Sequence, residues 1–166
     1  SILAGHKPTY VHSLMVAELT RALLQRQIET RPETLVGLLG CRSAAEVQAR
    51  REELCRTAYE CGLYHDLGKC AVLMYIDNNA RRLLDEEFFC IQSHPRTGAD
   101  ILNRMGCGRT LALAALYHHC YYNGKGGYPN DAPSCPEEIK GIVDALSVAD
   151  SLDAATDNIG RCYNLA

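Results

Sequence analysis

The sequence predicts an all-α fold, a bundle of helices packed around one apolar core. Apolar residues recur at spacings of three and four in segment after segment, and polar caps, prolines and glycines punctuate those segments. Nothing alternates apolar and polar residues strongly enough to make a strand. A third observation concerns what the helices carry: histidines and aspartates keep falling on the faces that should turn inward.

The first periodic segment runs from about Tyr10 to Gln27, with His12, Met15, Val16, Leu19 and Leu23 on one face. His12 therefore heads a stripe expected to be buried, where a lone histidine is more often a satisfied core residue than a ligand. Thr30 to Cys41 is a partly apolar connection with a short helix expected from Glu33. Ser43 followed by Glu46 reads as a capping box, which opens a long helix ending at His65 and Asp66. Leu54, Ala58, Cys61, Gly62 and His65 share the inward face of that helix. Asp66 lies one helical step away, and a buried carboxylate there needs a cation or several donors.

After Lys69 come the apolar stretch Cys70 to Ile76 and the polar turn Asp77-Asn78-Asn79, and Asp85 is a plausible N-cap for the next helix. That helix places Ile91, His94, Gly98, Ile101, Leu102 and Met105 on one face. Pro95 should kink or split it, because proline lacks a donor and crowds the preceding turn. Gly106 and Gly108 stop it. A short helix from about Thr110 to His119 follows, with Leu111, Ala114, Ala115 and His118 on one face. His119 is rotated about 100° from His118, so the two rings diverge yet border one cavity. The glycine- and proline-rich segment from Cys120 to Pro136 is a loop long enough to expect a function. The last helix, starting near Pro136, carries Ile139, Ile142, Val143, Leu146, Asp150 and Asp153 on one face. Two carboxylates thus continue a buried stripe, and the alternative, a turn of the last residues into solvent, suits Asp153 better than Asp150.

Composition narrows the function. The 166 residues suit one domain over 1–166, and no run of 18 apolar residues exists to span a membrane. Nine cysteines, an odd number without CxxC pairs, argue against a disulfide framework and against a thiolate zinc site, and favour the reducing cytoplasm. A formal charge of −3 leaves no broad basic surface for duplex nucleic acid.

Five of the six histidines, at 12, 65, 94, 118 and 119, lie on core- or cavity-facing positions together with Asp66 and Asp150. Imidazoles and carboxylates converging from several helices make a ligand set for two ions of iron, manganese or a similar metal, with no cysteine required. Two such ions suit phosphoester hydrolysis, because they acidify a water and clamp the phosphate oxygens.

The ordered set His12, His65-Asp66-Leu67-Gly68-Lys69, His94-Pro95, His118-His119, Gly127-Tyr128-Pro129 and Asp150-Ser151-Leu152-Asp153-Ala154 resembles the HD-GYP family. These are all-helical bacterial members of the HD phosphohydrolase superfamily that hydrolyse cyclic dinucleotides, chiefly cyclic di-GMP. The resemblance covers about residues 10 to 163. It implies one ion held by His12, His65, Asp66 and Asp150, and a second by His94, His118 and His119, with Asp66 bridging. It implies Asp66 and Lys69 as catalytic residues, Lys69 on the scissile phosphate, with a cation at a helix C-terminus as the weaker alternative for Lys69. Arg161, in an Arg-x-Tyr segment with Tyr163, is implied to bind substrate phosphate, and Tyr128 and Lys125 of the loop to contact substrate.

Several positions depart from the family pattern. Pro8 replaces a glutamate that serves a third metal in some members, which implies a two-metal site. Cys120 stands where glutamate is common, the loop is one residue longer, Arg161 is two residues further from Asp150, and Asn164 replaces a cation. The resemblance also implies an output domain of a larger signalling protein, with a diguanylate cyclase or sensory domain as partner. Three functions follow: a cyclic dinucleotide phosphodiesterase, a signalling module that docks a partner through the Gly-Tyr-Pro loop, or another nucleotide phosphohydrolase of the superfamily.

Overall fold

The computed structural model describes residues 7–72 and 84–156, and among these there are helices and no strands. Seven α-helices follow in order: α1 (Lys7–Thr30), α2 (Ala44–Ala49), α3 (Arg51–Tyr64), α4 (Asp85–Ile91), α5 (His94–Arg104), α6 (Arg109–Tyr117) and α7 (Glu137–Thr156). Short 3-10 turns at Pro32–Leu35, Leu38–Gly40 and Leu67–Ala71 join them. No described helix is long and apolar enough to cross a membrane.

α1 lies against both α3 and α7, and this trio encloses the main core of Val16, Leu24, Ile28, Leu54, Ala58, Ile142 and Leu146. A second cluster, with Leu67, Leu102, Ala112 and Ala115, joins the 67–71 turn to α5 and α6. The apolar stripes of the sequence hold on α3 and α7, where every residue assigned to the inward face is buried. On α1 the stripe is rotated: Met15 and Leu23 are exposed, while Ser13, Ala17, Thr20 and Leu24 are buried. Here small residues win the interior because α1 is pressed close to its neighbours. A Cβ on Gly62 of α3 would lie 2.6 Å from the Cα of Ala17, so the two backbones touch. On α5, Met105 is likewise exposed, because the helix ends at Arg104 and Gly106 turns the chain away with φ +67°.

The helix expected from Ser43 to the His-Asp pair is two helices, broken at Arg50. Ser43 caps α2 by accepting the N–H of Glu46 at 3.2 Å, but the Glu46 carboxylate takes the N–H of Arg42 at 2.9 Å, so the box is offset by one residue. Arg50 then uses its guanidinium to hold the Leu39 carbonyl at 3.0 Å and Glu53 at 2.8 Å, which fixes the break. Pro95 splits its segment as expected and sits in the first turn of α5. The helix expected to reach His119 ends at Tyr117. Of the stretch Cys70 to Ile76, the part from residue 73 and the turn that follows lie outside the described residues.

Gly68 makes the closest backbone approach. A Cβ there would come within 1.9 Å of the His94 carbonyl oxygen and 2.5 Å of the Gly98 nitrogen. Gly68→Ala should therefore push the 67–71 turn off α5 and cost about 1–3 kcal/mol of stability, as overpacking does. Chemical denaturation measures this, and an unchanged midpoint would mean that the two segments separate freely.

Candidate metal centre

The cluster is built largely from helix ends. His65 follows the last residue of α3, His118 follows the last residue of α6, and His94 comes three residues after the end of α4. The final carbonyls of a helix lack partners within it, so a ring placed there can donate its Nδ1–H back to one of them. Each of the three does so: His65 to the Gly62 carbonyl at 2.7 Å, His94 to Ile91 at 2.7 Å and His118 to Ala115 at 2.8 Å. Such a bond commits the Nδ1 proton and turns Nε2 toward the centre of the cluster. His12 reaches the same state differently, by donating Nδ1–H to the Asp153 carboxylate at 2.5 Å.

Asp66, fully buried, stands in the middle. Its Oδ2 lies 3.6 Å from His12 Nε2 and 3.4 Å from His65 Nε2, while its Oδ1 lies 3.1 Å from His94 Nε2 and 3.8 Å from His118 Nε2. The carboxylate thus divides its two oxygens between two groups. His12, His65 and Asp150 form one, with Asp150 Oδ1 3.0 Å from His12 Nε2. His94, His118, His119 and Asp66 form the other. In each group one ligand atom per residue lies within 4.8 Å of all the rest, close enough to share an ion.

The chemistry of these contacts fits cations. Nε2 of His12, Nε2 of His65 and Oδ1 of Asp66 are buried without a hydrogen-bond partner. Nε2 of His94 faces Nε2 of His118 at 3.2 Å, although both rings already commit Nδ1–H to carbonyls. Lone pairs facing lone pairs in a dry interior are costly, and a positive ion between them removes the cost.

Charge states agree for most of the set. Burial would raise the carboxyl of Asp66, but Lys69 and His65 hold it well below the usual range. Asp150, which burial would also raise, is held well below it by the neighbouring His12 and His65. Burial together with the neighbouring rings pushes His118 well below its ordinary value, and burial, partly opposed by Asp150, lowers His119 to about 4. Ionised carboxylates and neutral imidazoles are the ligating forms. His65 is the exception: although burial lowers it, Asp66 and Asp150 draw it up to about 10, so an ion entering there competes with a proton.

All seven positions expected as metal ligands are brought together. The rings of His118 and His119 do not diverge as expected, because the helix has ended and the chain turns; their centroids are 4.1 Å apart. Lys69 reaches Asp66 Oδ2 at 2.5 Å, so it points at the cluster and does not cap the carbonyls of α3. Tyr128 covers the second group, its ring 4.4 Å from His119 and 6.1 Å from His94. This placement depends on Gly127, whose φ of +84° and contact with the His119 carbonyl exclude a side chain. Lys125 stands exposed at the loop tip, its N–H on Asn123 Oδ1 at 2.9 Å, and is not among the clustered side chains. Arg161, Tyr163 and Asn164 lie outside the described residues.

Two residues outside the expected ligand set shape the cluster. Asp153, on the inward stripe of the last helix, is buried against His12. Ser147 donates its hydroxyl to the His118 carbonyl at 2.7 Å. Both sit three residues from Asp150, on the stripe that carries it, and that spacing was the available signal.

Together the fold and this cavity define an all-helical protein built around a histidine–aspartate centre suited to metal ions. The chain belongs to the HD domain family, whose profile matches residues 9–155. It is 34% identical over 153 residues to the cyclic di-GMP phosphodiesterase PA4108 of Pseudomonas aeruginosa, a match covering 90% of this chain and 31% of that protein. It is also 34% identical over 103 residues to a cyclic di-GMP phosphodiesterase of Vibrio cholerae, covering 58% of this chain and 20% of that one. The matched region thus spans well under two thirds of the length of either relative. No solved structure matches the chain.

Proposed function

We propose that the chain is the catalytic part of a metal-dependent phosphodiesterase that opens a cyclic dinucleotide, cyclic di-GMP in the first instance, to its linear form and on to mononucleotide. The observation that carries this reading is the division of Asp66 between two ligand groups. A carboxylate so placed serves two ions at once, one held with His12, His65 and Asp150 and the other with His94, His118 and His119. A donor set of nitrogen and oxygen without thiolate favours iron or manganese. The names of the two relatives support the substrate.

In this reading the chain's own groups divide the work. Asp66 sets the distance between the two ion groups. Lys69, partly exposed at the edge of the cluster, presents its ammonium to the scissile phosphate. Tyr128 forms the wall of the second group on which a base or sugar can rest, and Lys125 supplies a cation from the loop. Arg161 grips a phosphate, for which its planar fork is well suited.

The test is metal analysis of protein purified without oxygen, with turnover of cyclic di-GMP and cyclic GMP-AMP followed in parallel. Two ions per chain and a linear product are expected. Protein that holds its ions but opens neither nucleotide would instead favour a signalling module that docks a diguanylate cyclase or sensory partner through the loop. For Arg161→Ala, KM should rise about tenfold or more, the worth of one charge-assisted contact, with kcat changing less. An unchanged KM for every cyclic dinucleotide would remove Arg161 from the site.

A further inference from the structure

We infer that Asp153 is a positioning residue that makes the His12 group the tighter of the two ion sites. The inference rests on the two-ion reading above and concerns how the ions are held.

Four buried rings turn Nε2 into the cavity, and each must commit its Nδ1–H elsewhere. For His65, His94 and His118 the acceptor is a carbonyl at the end of the preceding helix, three residues back. His12 has no such carbonyl. α1 continues unbroken to Thr30, so the carbonyl three residues before His12 lies within a continuing helix, where it serves the N–H four residues ahead. The acceptor comes instead from α7, where Asp153 places Oδ2 2.5 Å from His12 Nδ1. Asp153 is about nine-tenths buried and His12 almost wholly so, which shields the contact from competing water.

A carboxylate in this place does more than a carbonyl. It fixes the ring in the same tautomer but also brings a full negative charge behind it, which makes the imidazole a stronger donor to a cation. The His12 group therefore has Asp150 and one oxygen of Asp66 facing the ion, with Asp153 one ring further out. The His94 group has three imidazoles and the other oxygen of Asp66. The nearest carboxylate beyond these is Asp150, whose Oδ2 stays 3.8 Å from His119 Nδ1. Lys69 offsets part of the charge on Asp66 Oδ2, and an ion must displace the proton of His65, but the carboxylates that hold that proton attract a doubly charged ion more strongly, so the first ion goes to the His12 group and the second is held more loosely and exchanges.

Ser147 supplies the internal comparison. It holds the backbone of the other group, through the His118 carbonyl, with a neutral hydroxyl from the same face of α7. Its removal should affect the second ion and not the first.

The experiment is stepwise titration of ion-free full chain with Mn²⁺, and in parallel with Co²⁺ to follow the visible absorption of each step. Two steps of unequal affinity are expected for the natural protein. Asp153→Asn keeps the size and an acceptor oxygen but removes the charge, and should weaken the first step about tenfold while leaving the second. Asp153→Ala should weaken it by up to about 100-fold, the range seen when a ligand's orienting partner is lost, and should alter the absorption of the first Co²⁺ only. If the alanine variant does not fold, the asparagine variant decides. A first step unchanged in Asp153→Asn, or both steps weakened equally, overturns the inference. Natural protein that takes up no ion at all would instead overturn the two-ion reading itself.

Discussion

Asp66→Asn should strip the protein of both ions and lower turnover by about 10³-fold or more. Asparagine keeps the volume of the buried side chain but replaces a charged, two-oxygen acceptor by an amide with one acceptor and one donor. Both oxygens of Asp66 face ring nitrogens, at 3.4 Å for His65 and 3.1 Å for His94, so each group loses a charged ligand in one substitution. Several kcal/mol of transition-state stabilisation disappear with the ions, and about 1.4 kcal/mol corresponds to each tenfold in rate. His118→Ala provides the contrast, since it touches one group and should deplete chiefly the second ion. Metal content per chain decides the matter: an Asp66→Asn protein that still carries two ions would show that the carboxylate does not serve both.

The second large effect is expected at Lys69. Its side chain is 19% exposed and its ammonium lies 2.5 Å from Asp66 Oδ2, so it stands where the cluster meets solvent. An ammonium has three donors, which leaves others for an incoming phosphate. Charge that grows on phosphate oxygens during cleavage is stabilised most by a donor already in place. Lys69→Ala should then reduce kcat about 10²-fold or more with KM little altered and the fold intact. A rise in KM alone would make Lys69 a ground-state contact. Equal rates for variant and natural protein, both near background, would favour the docking module.

How far the sequence was legible depended on whether a residue's neighbours in the chain determined its surroundings. The stripe of α7 was visible because Ile139, Ile142, Val143, Leu146 and Asp150 follow one helical period. The breaks at Pro95 and Gly106 were visible because backbone chemistry sets them. On α1 the same reasoning misplaced Met15 and Leu23, because the close approach of Ala17 to Gly62 lies between helices and leaves no trace in the period. The break at Arg50 was missed for a similar reason, since its guanidinium is held by the Leu39 carbonyl eleven residues earlier. The seven clustered residues could be grouped beforehand because histidines and aspartates recur on inward helical faces and their order resembles a family pattern. The partner of Asp153 was not legible, because His12 is 141 residues away.

The three histidines that end or follow helices have an electrostatic consequence. α3 and α6 end at the cluster, where a helix carries about half a negative charge, whereas the C-terminus of α4 is met there by the N-terminus of α5, which starts at His94. Added to ionised Asp66 and Asp150, these dipoles make the cavity repel anions until cations fill it. A cyclic dinucleotide carries two phosphate charges, so ion-free protein should show little affinity for it in equilibrium dialysis. Loading would then be ordered, ions first and nucleotide second, and metal supply would govern substrate binding before it governed turnover.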